Sequence, residues 1–194
     1  MKVYLLRHGE TDCNRAGRYQ GRLDTPLSET GAAELRTAEL LPETVYVSPL
    51  LRARQTAELL FPAARQIVVE DFREMDFGAF DGRSFREMAH DPAYQAWVDS
   101  NCEGRCPGGE DKAGFCARTC AAFERLMDAA ADDLVIIAHG GTQMALMERY
   151  AVPHKDYFSW HAPLGGGYVL SADQWQRERR LHLIDTVQYT KERL

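Results

Sequence analysis

The strongest constraint on the fold of this 194-residue chain is the way short apolar runs alternate with stretches of helical period. Val3 to Leu6, Val45 to Val47, Ile67 to Val69 and Leu134 to Ala138 are such runs, several of them apolar at nearly every position. A strand with one wet face alternates apolar and polar residues, whereas an unbroken apolar run suits a parallel strand covered on both faces. Between the runs, Ala53, Thr56, Ala57 and Leu60 recur at i, i+3, i+4 and i+7, which marks one buried stripe on a helix starting near Leu51. Strand followed by helix, repeated, predicts an α/β fold: a three-layer α/β/α sandwich around a mostly parallel sheet.

After Pro163 the pattern changes. Gly165 to Gly167 lead into Tyr168 to Leu170, a polar turn follows at Ala172 to Gln174, and Leu181 and Leu183 alternate with Arg180 and His182. This predicts an antiparallel C-terminal hairpin at the sheet edge. Residues 71–114 are the least regular stretch, with glycines and prolines interrupting two amphipathic pieces at Phe85 to His90 and Ala93 to Val98. They read as a cap-like insertion over the site, within one domain spanning residues 1–194.

A chain with 45% hydrophobic and 27% charged residues can bury an ordinary globular core. Met1 to Leu6 is too short for a signal-peptide core and no run reaches membrane length, so a soluble cytoplasmic protein is expected. A net charge of −6 argues against general nucleic-acid binding, which draws its affinity from many Lys and Arg contacts to phosphate. Without a secretory signal, the five cysteines read as reduced thiols. Cys102, Cys106, Cys116 and Cys120 form two C-x₃-C pairs, whereas zinc sites more often use C-x₂-C. Phe115, Cys116, Thr119, Cys120, Phe123 and Met127 also share one face of a helix near 112–130, which makes Cys116 and Cys120 small core residues. No metal and no cofactor are expected.

Ligands of open parallel sheets sit beyond the carboxyl ends of the strands. Here the first run ends at Arg7 and His8, followed by Gly9; the second at Ser48 and Pro49, with Arg52 in the next helical turn; the fourth at His139, before Gly140 and Gly141. A guanidinium discourages protonation of a neighbouring imidazole, so Arg7 favours a neutral His8, fit to be a nucleophile, base or ligand. Two arginines, two histidines and a helix opening on Gly-Gly suit a phosphate group, whose oxygens match guanidinium forks and free helix-start N–H groups. Asn14, Gln20, Gly21 and Gly140 are candidate substrate-binding positions beside them.

LLRHGET followed by Asn14, then SPLLRARQTA, REMDFGAFDG, PGGE and IIAHGG, in that order, resembles the histidine phosphatase superfamily, also called phosphoglycerate-mutase-like. The matching blocks run from Met1 to about Tyr150. The resemblance implies a phosphohistidine intermediate on His8 and a phosphate pocket of Arg7, Arg52 and His139; the chemistry of the residues themselves adds the expectations that His139 is cationic there and that the carbonyl of Gly9 or a neighbour fixes the His8 tautomer. The leaving alkoxide needs an acid. The glutamate of the family's L-x-E block falls at Glu74, with Asp76, Asp81 and Glu110 as rivals. Asp81 stands where relatives often have glutamate and Phe80 where many have tryptophan. His161, beside Trp160, is expected at the site mouth.

Three functions follow for a small phosphorylated metabolite as partner: phosphate monoester hydrolysis, phosphoglycerate mutase activity, or binding without catalysis. Hydrolysis is preferred because the chain ends at Leu194 soon after the hairpin, and because the glycine-broken stretch looks too open to exclude water. The segment from Asp91 to Trp97, DP-x-Y-x-x-W, is similar to alpha-ribazole phosphatases of cobamide synthesis and to broad-specificity phosphatases. Alpha-ribazole 5′-phosphate is therefore the first substrate to test.

Overall fold

The structure, a computed structural model, describes residues 1–191; the chain end at Leu194 lies outside the described residues. In chain order the elements are β1 (Lys2–Arg7), α1 (Asp12–Arg15), α2 (Glu29–Glu34), β2 (Thr44–Val47), α3 (Leu51–Leu60), β3 (Arg65–Val68), α4 (Pro92–Asp99) and α5 (Lys112–Ala129). They continue with β4 (Leu134–Ala138), α6 (Gly140–Tyr150), β5 (Ala151–Val152), β6 (Gly166–Ser171), α7 (Trp175–Glu178) and β7 (Leu181–Gln188). The sheet order is β3-β2-β4-β1-β6-β7-β5. β3, β2, β4 and β1 are mutually parallel, and β6 runs antiparallel to both β1 and β7.

Side chains alternate across the sheet and so build two cores. Val3 and Leu5 of β1, with Ile136 and Ala138 of β4, pack against Phe123 and Met127 of α5 and Leu146 and Met147 of α6. Leu6, Val135 and Ile137 point the other way, onto Ala53, Ala57 and Leu60 of α3. Both faces of the central strands are thus covered, which is why their sequences lack a polar period. The helices start where short polar side chains can accept free backbone N–H groups: Ser28 caps α2, Asp91 caps α4 ahead of Pro92, and Asp111 caps α5.

The β6–β7 pair forms as the pattern after Pro163 requires, but α7 fills the connection, and the two-residue β5 adds parallel to β7 at the outer edge. In the stretch 71–114, Phe85 to His90 is a run of turns, while Ala93 to Val98 lies within α4. The stretch is not loose despite its glycines. Met75, Phe80, Met88, Tyr94, Trp97 and Cys106 form a core with Phe115, Ala145 and Tyr157, so the glycines carry no argument about access of water.

Cysteines 116 and 120 are half-buried rather than core residues; the inward stripe of α5 is Phe115, Thr119, Ala122, Phe123 and Met127. The two thiols border an open groove of about 870 Å³ between α5 and α6. That groove shares no lining residue with the strand-end cavity described next.

Candidate active site

Strand register brings the two histidines together. Arg7 pairs with Ala138 and Val47 with Ile137, so His8, Ser48 and His139 all emerge at one end of three adjacent strands. The His8 and His139 rings lie 5.2 Å apart between centroids. Arg52 arrives from the first turn of α3, on the same buried side as Ala53 and Thr56. Thr56 Oγ1 accepts the Gly9 N–H at 3.0 Å and donates to the Arg52 carbonyl at 2.7 Å, which ties α3 to the end of β1.

His8 is 4% exposed, and its Nδ1 lies 2.7 Å from the Gly9 carbonyl oxygen. A carbonyl only accepts, so Nδ1 carries the proton, and in a neutral ring Nε2 keeps its lone pair. Burial, then Arg52, then Arg7 hold the His8 pKa well below that of an ordinary histidine. The neutral imidazole expected from Arg7 is therefore there, but burial is its first cause, and the distant Arg52 outranks the chain neighbour.

His139 departs from the expected cation. Fully buried, it is pushed well below the ordinary pKa by burial, then by Arg52, His8 and Arg7. Its Nε2 lies 2.7 Å from Ser48 Oγ, which also accepts the Leu50 N–H. With the Ser48 proton given to Nε2, the neutral ring keeps its own hydrogen on Nδ1, a buried atom with no partner in the protein. Burial and the neighbouring cations thus favour the neutral ring in the free protein, and it is the Ser48-donating arrangement that makes Nδ1 a donor.

Both arginines are anchored by backbone oxygens. Arg52 donates to the carbonyls of Leu23, Gln20 and Gly21, and Arg7 donates to that of Ala162 at 2.9 Å and meets His161 Nε2 at 3.4 Å. Their Nε atoms are buried without partners, as is His139 Nδ1. Buried donors without acceptors are costly. Three of them belonging to residues gathered around one neutral imidazole suit an oxyanion with several oxygens.

Glu74 borders the same cavity and is 8% exposed. Its Oε1 accepts the Met75 N–H at 2.9 Å and its Oε2 the Gly141 N–H at 3.0 Å. A Cβ at Gly141 would come within 2.3 Å of the Glu74 carboxylate, so a larger residue there would displace that side chain from its position. The rival carboxylates are engaged elsewhere: Asp76 accepts from Gly78, Asp81 from Gly21 and Leu23, and Glu110 from Asp76 N and Arg118.

The candidate binding residues divide. Asn14, Gln20 and Gly140 line the cavity. Asn14 Oδ1 accepts the Thr11 N–H, which leaves its amide nitrogen as donor, whereas Gln20 Nε2 donates to Thr25. Gly21 is a correction: its N–H goes to Asp81 and its carbonyl to Arg52, and a Cβ would collide with the Met75 carbonyl at 2.1 Å. It is glycine for close packing and offers a ligand no donor. His161 lines the mouth. Sequence reasoning missed Arg118, which grips the carbonyls of Asp71, Arg73 and Glu74 and so holds the Glu74 segment in place. Sequence alone left open which side chains of the 71–114 stretch turn inward: Phe77 and Trp97 do, and with Tyr19, Tyr157 and Phe158 they line a cavity of about 280 Å³.

Among the described residues no group of three or more His, Cys, Asp or Glu is placed to hold a metal ion, and no helix is long and apolar enough to cross a membrane. Comparison with known proteins agrees with the geometry. The chain is 34% identical over 160 residues to the adenosylcobalamin/alpha-ribazole phosphatase of Salmonella typhimurium, covering 77% of this chain and 79% of that protein. It is 32% identical over 161 residues to the metal-independent phosphoserine phosphatase of Arabidopsis thaliana, covering 76% and 68%. A candidate alpha-ribazole-5′-P phosphatase of Escherichia coli K-12 superposes with a TM-score of 0.86 at 21% identity, over 100% of this chain and 99% of that one, which shows the shared fold. The family model of the histidine phosphatase superfamily (branch 1) matches residues 3–183, so the buried histidine pair stands at the strand ends of a chain that belongs to that superfamily.

Proposed function

We propose that the protein hydrolyses small phosphate monoesters through a phosphohistidine on His8. The observation that carries this is the His8 ring itself: held toward the neutral form, with Nδ1 against the Gly9 carbonyl and Nε2 free, beside buried unpartnered nitrogens of Arg7, Arg52 and His139. Nε2 attacks phosphorus in line, the bond from phosphorus to the ester oxygen breaks, and the leaving alkoxide takes a proton from the Glu74 carboxylic acid. Arg7, Arg52 and His139 Nδ1–H hold the phosphoryl oxygens as charge redistributes. Water then attacks the phosphohistidine, Glu74 takes its proton, and the bond from phosphorus to nitrogen breaks to return neutral His8. The two arginines supply the positive charge, and no step calls for a metal.

Alpha-ribazole 5′-phosphate is the preferred substrate, supported by the Salmonella typhimurium relative and by the Asp91 to Trp97 segment. The test compares release of free phosphate with transfer to a second hydroxyl. Incubation with 3-phosphoglycerate and a trace of 2,3-bisphosphoglycerate, in EDTA, is expected to give no isomerisation faster than phosphate release, while a panel containing alpha-ribazole 5′-phosphate is hydrolysed in the same buffer. Rapid formation of 2-phosphoglycerate would replace this reading by a mutase, and loss of turnover in EDTA restored by a divalent cation would reject the metal-free mechanism.

A further inference from the structure

The outer half of the cavity has a chemistry of its own. Tyr19, Phe77 and Trp97 pack edge to face, with centroids 5.1 Å apart for Tyr19–Phe77, 5.7 Å for Tyr19–Trp97 and 6.1 Å for Phe77–Trp97. The Tyr19 hydroxyl is taken up by the Tyr94 hydroxyl at 2.9 Å, which leaves the ring as what Tyr19 offers a ligand. Tyr157 and Phe158 form another edge-to-face pair at 5.0 Å on the same cavity, and Phe158 is 50% exposed. The cations of this rim are already engaged. Lys112 pairs with Glu103 and lies over the Tyr157 and Phe158 rings, and Arg18 makes a two-pronged bond to Glu87.

We propose that these five rings form the leaving-group subsite and select phosphate monoesters whose alcohol carries a planar aromatic ring. The inference rests on the phosphomonoesterase reading and adds the residues and the chemistry that set specificity. A flat ring gains buried apolar area and ring-edge contacts on several sides. A leaving group with a carboxylate would compete with Glu103 for Lys112 or with Glu87 for Arg18. An ammonium would enter a space bordered by Arg7, Arg18 and Lys112, whose like charge opposes the attraction of a cation to ring faces.

The test uses alkyl phosphates, so that leaving-group reactivity stays nearly constant. The ratio of kcat/KM for 2-phenylethyl phosphate over ethyl phosphate is expected to be roughly tenfold or more, with O-phosphoserine and phosphocholine slower than 2-phenylethyl phosphate. Phe158→Ala, at an exposed position, and Phe77→Leu should each shrink that ratio by about threefold or more, with melting curves confirming the fold. A ratio near one, a ratio unchanged in both variants, or faster turnover of O-phosphoserine or phosphocholine would overturn the proposal. Calorimetric binding of 2-phenylethylphosphonate against ethylphosphonate reads the subsite without turnover. Preference for the phenyl compound in a protein that hydrolyses nothing, or whose hydrolysis survives His8→Ala, would reject the phosphohistidine reading and keep the subsite; equal binding of the two would reject the subsite.

Discussion

At the strand ends, Arg7, His8, Ser48 and His139 stand at or next to paired strand positions, and backbone oxygens fix the hydrogen-bonding atoms of Arg7, His8 and Arg52. On the cavity's aromatic wall, Tyr19, Phe77 and Trp97 come from separate segments outside the central sheet and hold one another by their rings, with Tyr157 packed into the same apolar cluster. The first region achieves position through directional bonds to a rigid sheet, which suits chemistry that tolerates little displacement. The second achieves shape through apolar packing, in which side chains of similar volume exchange at modest cost. On the proposed reading mechanism and specificity are separated within one cavity, and changes in the two regions should differ in kind as well as in size.

The largest expected effect is in the cradle. His8→Ala should lower turnover of every substrate on the order of 10⁴-fold or more, because the variant lacks the Nε2 lone pair that the proposed mechanism uses to attack phosphorus. Rapid quenching of the wild-type protein should trap acid-labile, base-stable phosphate, absent from the variant. Phosphate on another residue would break the assignment. Glu74→Gln should slow alkyl phosphates by roughly 10²-fold and an aryl phosphate with a good leaving group much less, since acid assistance matters most for poor leaving groups. Equal losses on both would show that Glu74 does not protonate the leaving oxygen.

The smallest effect concerns stability. His8 and His139 are both held neutral when folded, with pKa values well below the ordinary value of 6.5, which the unfolded chain regains. The unfolded chain therefore binds protons that the folded one does not as pH falls through 6.5. Stability is fully present above that pH and falls below it by up to about 1.4 kcal/mol per pH unit for each imidazole. Melting curves of the free protein from pH 7.5 to 5 check this, and His139→Gln should remove about half of the slope. An unchanged slope would mean that the buried pair does not titrate on unfolding.

Legibility in the sequence followed the range of the contacts. The Arg7–His8–Gly9 unit is continuous in the chain, and its tautomer-fixing carbonyl was open to reasoning from those three residues. Arg52 could be placed because it follows the strand end at Ser48 and Pro49 by one helical turn, at the start of α3. Ser48 stood in view at a strand end, yet its bond to His139 needs the β2–β4 register, which links residues 91 positions apart. The Arg118 grip on the Glu74 carbonyl spans 44 positions and left no periodic signal. Gly21 was misread because a glycine kept for close approach to the Met75 carbonyl looks, in sequence, like one kept to meet a ligand.

The charge state of His139 teaches the same lesson. Beside a phosphate a cation is the natural expectation, but a ring without solvent contact near two guanidinium groups stays neutral in the free protein. The sequence by itself determined the layered α/β class, the buried strands and the residues that gather at their ends, because periodicity and strand polarity are local properties of the chain. Tertiary structure alone decided what His139 Nε2 meets, what holds the Glu74 segment in place and which rings line the cavity. Those depend on burial and on directional contacts between segments far apart in the chain, and no window of sequence contains both partners.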